Sequence, residues 1–434
     1  MSGLRIVMVG HCHPDMPHVC AMRMRCFAGA MAGRGHRVVL LSESLARDGP
    51  APDPERVSGE LEGHDWTVPY RLGCPPRRSH VLEGVRRGRF PAVPRKAVIA
   101  AFYVLRGGVF GDWVAGSRPY WRLLADLFRP DVTWGTFGNT GAWTIARTIA
   151  RRAGCPWVMD LKDSWDAFIP SGLRRAVARR YGDAAALTVL SAAHAGQAGQ
   201  WFAARPAVVY SGVPADLAAP AGDAADDNTF SLTLTGSLYD AEHLDALGAG
   251  LAAWIENDVA ADQRRRITLA YFGSDGERVA TLARRLNGLC RVDAHGFRPL
   301  PELHAALRRA RLNIFIRCDR VLFHHKVFEL LSADRPILCL PGAGDETRAI
   351  VADVGGTLHG CGDAEDVRRA LDRVWRDPPA PVGIVRQRLL RYSWESQAAI
   401  LEDVLGKAVA GGRGGVPRKS LPGGHPPCPP GYSA

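Results

Sequence analysis

Apolar segments of strand length alternate with amphipathic segments of helix length along most of the chain. The first unit has an apolar run at 4–9, a polar loop, an amphipathic segment over 19–33 and a second apolar run at 38–42. Two consecutive parallel strands need a crossover of this kind, and a right-handed one is strongly preferred. The pattern therefore predicts a parallel sheet whose ligands lie at the carboxyl ends of the strands.

The same alternation continues to about residue 340. Further strands are predicted at 131–136, 157–161, 208–212, 230–235, 267–272, 290–295, 312–316 and 337–340, with helices at 142–152, 191–200, 241–256, 276–287 and 301–310. Residues 49–80 are rich in Pro, Gly and charge and are predicted to be irregular. Residues 81–128 are basic and amphipathic, which favours helices lying at a lipid interface or packed on a core.

An Ala-, Pro- and Asp-rich segment divides the chain. We predict an α/β fold with two doubly wound, Rossmann-like domains facing across a cleft. The predicted boundaries are 1–213 for the N-terminal domain, 214–229 for the linker, 230–380 for the C-terminal domain, 381–409 for a C-terminal helix and 410–434 for a disordered tail.

Composition is ordinary for a soluble protein, with 47% hydrophobic and 23% charged residues. The longest apolar run, at 97–105, is far shorter than the ~20 residues that a membrane span needs. Ten cysteines occur without a C-x-x-C pair, which favours reduced thiols. These features predict a cytoplasmic protein.

Positive charge is concentrated in the first half. Residues 71–180 contain 20 Lys and Arg against 7 Asp and Glu, a net charge of +13, whereas the whole chain carries +11. Such a surface indicates an anionic partner, either a membrane surface or a phosphorylated acceptor. The alternative is that the charge only keeps the domain in solution. Nucleic acid is not predicted as a partner, because no nucleic-acid recognition element accompanies the arginines.

The segment 321–340, VLFHHKVFELLSADRPILCL, combines a polar loop, a short helix and a strand. Glu329 in this helix can accept two hydrogen bonds from vicinal hydroxyls, and Lys326 can reach a phosphate. A simpler alternative is that the two form an i,i+3 surface pair. A carboxylate and a cation after a strand end fit a phosphorylated sugar ligand.

The segment KVFELLSADRPIL resembles part of the family 4 glycosyltransferases, which are retaining enzymes with the GT-B fold. RGHRVVLLS at 34–42, PWVMDLKDSW at 156–165, VVYSGV at 208–213, LTLTGSLY at 232–239 and YFGSDGE at 271–277 are similar to other segments of that family, in the same order. The resemblance implies a hexosyltransferase-type glycosyltransferase that uses a nucleotide-sugar donor and retains the anomeric configuration. It also implies that the last helix crosses back to the first domain.

Donor-binding residues are expected on the second domain. The resemblance implies that Glu329 accepts the ribose hydroxyls, and the residues assigned to the donor site are Gly236, Ser237, Arg317, Lys326, Val327, Phe328 and Glu329. The family often has an acidic residue where this chain has Val321, and it has a basic pair that GSLYDAEHLDAL lacks. Lys326 or Arg317 is expected to supply that charge and to stabilise the leaving diphosphate.

The first domain supplies the remaining candidates. Two carboxylates in DLKDSW, those of Asp160 and Asp163, fit acid–base work, or else cap the following helix. His11 is the third catalytic candidate, and the acceptor-side candidates are Gly10, His13, His18 and Arg25. The run HCHPDMPHVC lacks paired metal-site spacing, so neither a metal nor a cofactor is predicted.

The sequence thus predicts a cytoplasmic glycosyltransferase, peripheral on the inner membrane face, with a lipid-linked or otherwise anionic acceptor. Two alternatives stay open. A non-hydrolysing nucleotide-sugar epimerase shares the two-domain architecture and would need acidic residues poised for proton abstraction. A catalytically silent partner protein is the non-enzyme alternative, which the missing acidic residue at Val321 motivates.

Overall fold

The computed structural model describes residues 3–217, 228–377 and 383–413. The first domain is built around a sheet of seven parallel strands in the order β3-β2-β1-β4-β5-β6-β7. Its strands are β1 (Arg5–Val9), β2 (Arg37–Glu43), β3 (Tyr70–Cys74), β4 (Val132–Thr136), β5 (Trp157–Leu161), β6 (Ala186–Val189) and β7 (Pro206–Val208). Its helices are α1 (Val19–Gly33), α2 (Pro54–Glu62), α3 (His80–Arg86), α4 (Ala92–Arg106), α5 (Gly111–Leu123), α6 (Thr140–Ala153), α7 (Trp165–Phe168), α8 (Arg174–Tyr181) and α9 (Ala192–Ala198).

The second domain is built around six parallel strands in the order β10-β9-β8-β11-β12-β13. Its strands are β8 (Phe230–Thr235), β9 (Ile267–Phe272), β10 (Arg291–Ala294), β11 (Leu312–Ile316), β12 (Ile337–Leu340) and β13 (Leu358–Gly360). Its helices are α10 (Ala241–Asp258), α11 (Gly276–Arg285), α12 (Leu300–Arg309), α13 (Lys326–Ser332), α14 (Asp345–Asp353) and α15 (Ala364–Arg376). The predicted α/β fold with two doubly wound sheets is confirmed.

Alternation along β1 explains how the first sheet is covered on both faces. Ile6 and Met8 pack on one face with helix α1, whereas Val7 and Val9 pack on the other face with α5 and α6. All four side chains are fully buried. A continuous apolar strand such as RIVMV is typical of a parallel sheet that is covered on both sides.

The chain ends with α16 (Arg386–Leu389), a 3-10 turn over Leu390–Tyr392 and α17 (Trp394–Arg413). Helix α17 returns to the first domain, where Trp394 packs edge-on against Phe27 at 5.2 Å. Glu402 accepts a hydrogen bond from Arg34 at 2.6 Å and lies 2.9 Å from the His36 imidazole. These contacts attach the C-terminal helix to α1.

Several predicted elements differ from the structure. Residues 49–80 are not wholly irregular, because they contain α2 and the edge strand β3, which pairs with β2. The expected strand at 208–212 is instead the short β7, and β6 was not predicted. The C-terminal helix is interrupted at 390–392 and continues to Arg413, four residues into the segment predicted as tail. Residues 218–227 of the linker and 414–434 of the tail lie outside the described residues.

Residues 81–128 form α3, α4, α5 and a π-helical turn at Leu124–Phe128. Part of this region is core, since Trp113 and Tyr120 are fully buried. Helix α4 differs, because its Val93, Val104 and Leu105 are exposed. Within the described ranges, none of the helices is long and apolar enough to cross a membrane.

Candidate functional site

Each sheet has one point where the strand order reverses. In the first sheet it lies between β1, which Gly10 follows, and β4, which Phe137 follows. In the second sheet it lies between β8, which Gly236 follows, and β11, which Arg317 follows. Loops leaving such a point in opposite directions open a crevice at the carboxyl edge of the sheet. Two residues predicted to contact ligands, Gly10 and Gly236, therefore occupy the two expected crevices.

Gly236 lies in a tight loop that other residues hold in place. Its φ of +96° favours glycine, and its carbonyl accepts a hydrogen bond of 2.8 Å from the Tyr271 hydroxyl. The same hydroxyl accepts the Asp275 N–H at 3.0 Å, and the Asp275 carboxylate accepts the Leu238 N–H at 2.8 Å. Gly273 must lack a side chain, because a Cβ there would lie 2.6 Å from the Gly236 oxygen.

Lys326 lies against this loop. A Cβ added to Gly236 would be 2.9 Å from the Lys326 Cε atom, so the lysine side chain packs over the glycine. The Lys326 ammonium is 3.8 Å from the Glu329 carboxylate, and the His325 imidazole is also 3.8 Å from it. Both distances exceed a normal hydrogen bond. The Glu329 carboxylate therefore retains acceptor capacity beside a cation, at the strand-order reversal of the second sheet.

Arg317 follows β11 at the same edge. Its guanidinium donates to the Gly342 carbonyl at 2.9 Å and to the Asp319 carboxylate at 2.5 Å. Ser237 is exposed in the loop after β8, whereas Val321 is part of a turn in which its N–H binds the Cys318 carbonyl at 3.0 Å. Arg317 therefore lies at the carboxyl edge of the second sheet, and the Asp319 carboxylate neutralises part of its charge.

Val327 and Phe328 do not face the crevice, so their assignment to the donor site is wrong. Both side chains are fully buried, and the Phe328 ring stacks on Tyr392 with centroids 4.8 Å apart. Their N–H groups bind the carbonyls of His324 and His325 at 3.2 and 3.0 Å. The apolar pair anchors α13 to the core and so presents Lys326 and Glu329 on the opposite side.

Asp160 is also misassigned as a catalytic residue. Its carboxylate is fully buried within β5 and accepts hydrogen bonds from the Arg23 guanidinium at 2.9 and 3.3 Å and from the Thr188 hydroxyl at 2.8 Å. The Thr136 hydroxyl is a further donor. A carboxylate enclosed in this way cannot touch a substrate. It holds α1 to the sheet instead.

Asp163 lies where a ligand can reach it. Its side chain is 29% exposed and pairs with the Lys162 ammonium, beneath the loop at Gly138 after β4. Burial raises the pKa of the Asp163 carboxyl, and the Lys162 charge offsets that effect only in part. Acidic residues with a raised pKa beside a crevice are candidates for moving a proton. The structure therefore separates the two aspartates of DLKD into a structural and a candidate functional residue.

His11 follows Gly10 at the end of β1. Its Nε2 lies 2.5 Å from the Glu43 carboxylate, off the axis of a regular hydrogen bond. The ring packs edge-on against Phe110 at 4.5 Å and Trp113 at 5.3 Å. The imidazole is thus half-buried and held in one orientation at the first crevice.

The other acceptor-side candidates shape the loop at 11–18. The Arg25 guanidinium donates to the Pro14 carbonyl at 2.9 Å, and the His13 Nδ1 accepts the Asp15 N–H at 3.2 Å. Burial lowers the pKa of His13. His18 caps α1, since its Nδ1 accepts the Cys20 N–H at 3.1 Å. Cys12, His18 and Cys20 also form a group whose possible metal-ligand atoms all lie within 4.8 Å of one another.

The two domains touch at the rim of the crevices. Glu346 of α14 accepts the N–H groups of Ala192 and Ala193 at 2.7 and 3.1 Å and the Tyr210 hydroxyl at 2.7 Å. Glu346 thereby caps α9, a helix of the other domain.

Sequence patterns did not reveal Tyr271, Asp275 and Glu346. The pattern predicts Tyr271 only as a residue of the strand 267–272. A hydroxyl that bridges two loops depends on three-dimensional proximity, which periodicity does not encode.

The sequence matches no protein-family profile and no curated protein. Among solved structures, the chain is similar to Anabaena Alr3699/HepE crystallised with UDP-glucose, with a TM-score of 0.61, 14% identity and coverage of 93% of this chain and 100% of that one. A glycosyltransferase from Rickettsia africae ESF-5 gives a TM-score of 0.62 at 9% identity, covering 94% and 99%. A Listeria monocytogenes protein described as a putative UDP-N-acetylglucosamine 2-epimerase gives a TM-score of 0.55 at 11% identity, with coverage of 92% of this chain and 94% of that one. These similarities show the GT-B fold.

Proposed function

We propose that the protein is a glycosyltransferase that transfers a hexose from a UDP-sugar to an acceptor, with retention at the anomeric carbon. The observation that carries this proposal is the position of Glu329 and Lys326 beside Gly236, where the strand order of the second sheet reverses. The glycosyltransferase from Rickettsia africae and the UDP-glucose complex of the Anabaena protein support the same activity and donor class.

Each group has a distinct task in the proposed donor complex. Glu329 accepts hydrogen bonds from the two ribose hydroxyls, while the Lys326 ammonium and Arg317 face the diphosphate. The charge that develops on the leaving diphosphate is greatest in the transition state, so a fixed cation there stabilises the transition state more than the bound donor. Ser237, exposed after Gly236, lies within the same loop and adds a hydroxyl donor.

The chemical step exchanges one bond for another at the anomeric carbon. The bond to the diphosphate oxygen breaks and a bond to the acceptor oxygen forms on the same face. The acceptor hydroxyl proton passes to the departing diphosphate. Asp163 and His11, at the crevice of the first domain, orient the acceptor hydroxyl and the sugar in this proposal.

The acceptor in this proposal is lipid-linked, and the enzyme rests on an anionic membrane surface. Helix α4 exposes Val93, Val104 and Leu105, and its Lys96 is exposed with Arg89 nearby in sequence. Apolar side chains beside cations suit the headgroup boundary, where each basic residue contributes about 1 kcal/mol. The net charge of +13 over 71–180 acts in the same direction.

Flotation with anionic and neutral liposomes tests the membrane contact. We expect binding to anionic liposomes at low salt, weaker binding at high salt, and a loss of binding in Val93→Glu/Leu105→Glu. Ile400→Glu is the matched control, because Ile400 is an exposed apolar residue on α17. If the wild type fails to float with anionic liposomes at low salt, the acceptor is to be sought among soluble anionic molecules.

Calorimetric titration with UDP tests the donor site. Glu329→Ala removes a charged acceptor, which is expected to cost about 1.5–3 kcal/mol, or roughly 10- to 150-fold in the dissociation constant. Glu256→Ala, on the exposed end of α10, is the control and should bind as the wild type does. Unchanged UDP affinity in a folded Glu329→Ala protein would remove Glu329 from the site.

An epimerase is the second candidate, and it is motivated by the similarity to the Listeria protein. It would convert the nucleotide sugar without an acceptor, so incubation with UDP-sugars alone distinguishes it from a transferase. A silent partner protein would bind UDP and leave every UDP-sugar unchanged in the presence of any acceptor. The turn containing Val321, where an acidic residue is lacking, motivates that outcome.

A further inference from the structure

The loop after β1 and the start of α1 bring two thiols and an imidazole together. Cys12 belongs to the loop, His18 is the N-cap of α1, and Cys20 is the second residue of that helix. Their possible ligand atoms all lie within 4.8 Å of one another, and the Cys12 sulfur is 3.8 Å from the His18 Nδ1. The proposed donor site uses none of these three side chains.

The spacing suits a tetrahedral metal site. Zinc binds thiolate sulfur at about 2.3 Å and imidazole nitrogen at about 2.0–2.1 Å, so two such ligands are about 3.6 Å apart around a tetrahedral ion. The 3.8 Å between Cys12 and His18 is close to that value. Two thiolates with one imidazole form a soft ligand set, which selects zinc-type ions over Mg²⁺ or Ca²⁺.

The local structure keeps the ligands in reach and open to solvent. Arg25 ties the loop to α1 through the Pro14 carbonyl at 2.9 Å. His18 is exposed and both cysteines are half-buried, so an ion has a path to the group. On binding, the metal would replace the Cys20 N–H as the partner of the His18 Nδ1.

The surroundings also fit two thiolates. The Lys162 ammonium lies within electrostatic range of Cys20, and its charge is balanced by its ion pair with Asp163. Two thiolates and a divalent cation are together neutral, so the site adds no net charge next to the Lys162–Asp163 pair.

We propose that Cys12, His18 and Cys20 bind a zinc-type divalent ion, with water in the fourth position. The ion would fix the loop 12–20 on α1 at the rim of the first crevice. This inference does not depend on the proposed transferase activity, since the ligands and their geometry belong to the first domain alone.

Titration of the reduced, metal-free full-length protein with Co²⁺ tests the proposal directly. We expect one equivalent to bind with an intense thiolate-to-metal absorption in the near ultraviolet, and Zn²⁺ to displace it and raise the melting temperature. Cys20→Ser and His18→Asn should lose both effects. His18→Asn retains a capping side chain, so α1 is expected to form in it.

Cys26→Ser is the matched control, since Cys26 lies on the same helix outside the group, and it should behave as the wild type does. The proposal is overturned if the reduced wild type takes up less than stoichiometric Co²⁺, or if Cys26→Ser loses the absorption as fully as Cys20→Ser. A Cys12–Cys20 disulfide, detected as a mass lower by two hydrogens, together with no uptake after reduction, would show that the pair serves redox chemistry instead.

Discussion

Substitution of Asp160 by Asn tests whether the buried ion pair is structural. Its carboxylate accepts two hydrogen bonds from Arg23, at 2.9 and 3.3 Å, and one from Thr188 at 2.8 Å. Asparagine has nearly the same shape but no charge, and it keeps only one acceptor oxygen. The amide nitrogen of the asparagine would face the N–H and O–H donors that the carboxylate now accepts from. The Arg23 guanidinium, which is 1% exposed, would lose its counter-charge.

The expected loss of stability follows from this environment. Removing one partner of a buried ion pair costs about 3–5 kcal/mol, because the remaining charge is left uncompensated. Arg23 keeps bonds of 3.1 Å to the Val209 carbonyl and 3.2 Å to the Ser211 hydroxyl, which places the expected cost at about the lower end of that range. Arg23→Met/Asp160→Asn should be less destabilised than the sum of its single variants.

Urea unfolding followed by tryptophan fluorescence measures these differences. The control is Asp126→Asn, since the Asp126 pair with Arg122 is exposed on both sides and is worth at most about 1 kcal/mol. If Asp160→Asn unfolds at the wild-type urea concentration yet loses turnover, the assignment of Asp160 as a structural residue is wrong. If the stability lost in Arg23→Met/Asp160→Asn equals the sum of the losses in the two single variants, the pairing of Asp160 with Arg23 is refuted.

Three further predictions concern pH, metal and the donor loop. Burial lowers the pKa of His194 to about 4, below its unfolded value of about 6.5. Between these two pH values the folded state binds fewer protons than the unfolded state, so the free energy of unfolding should fall as the pH drops from 6.5 to 4. Urea titrations at each pH should show a smaller fall for His194→Asn. UDP affinity should be equal with and without EDTA, because Lys326 supplies the donor-side charge, and a loss restored by Mn²⁺ would contradict this. Tyr271→Phe should weaken UDP binding about tenfold in calorimetry, since it removes the hydroxyl that holds Gly236, whereas Tyr103→Phe should not.

The sequence predicted the fold well because each parallel strand is an apolar run bounded by glycine or polar residues. LNIFI and ITLAYF were located to the residue for this reason. Where the pattern weakens, the prediction fails. Tyr70–Cys74 pairs only with β2 at the sheet edge and reads YRLGC, with a charged residue and a glycine that obscure its strand character.

Candidate residues were predicted less well, because residue type does not show which way a side chain points. Val327 and Phe328 belong to the same short motif as Lys326 and Glu329, yet they face the core. All four residues lie within one turn of helix α13, on its two opposite sides. In the same way, Asp160 lies inside a strand and binds Arg23, a residue 137 positions away, which no local pattern relates to it.

The donor site and the metal site belong to different domains, so the two proposals can be tested separately. Gly236, Lys326 and Glu329 lie in the second domain, whereas Cys12 and Cys20 lie at the end of β1 and the start of α1. Loss of Co²⁺ binding in Cys20→Ser should therefore leave UDP affinity unchanged, and Glu329→Ala should leave Co²⁺ binding unchanged. Coupling in either direction would contradict this independence and would indicate transmission through the contacts between the domains, such as those of Glu346 with Ala192 and Ala193.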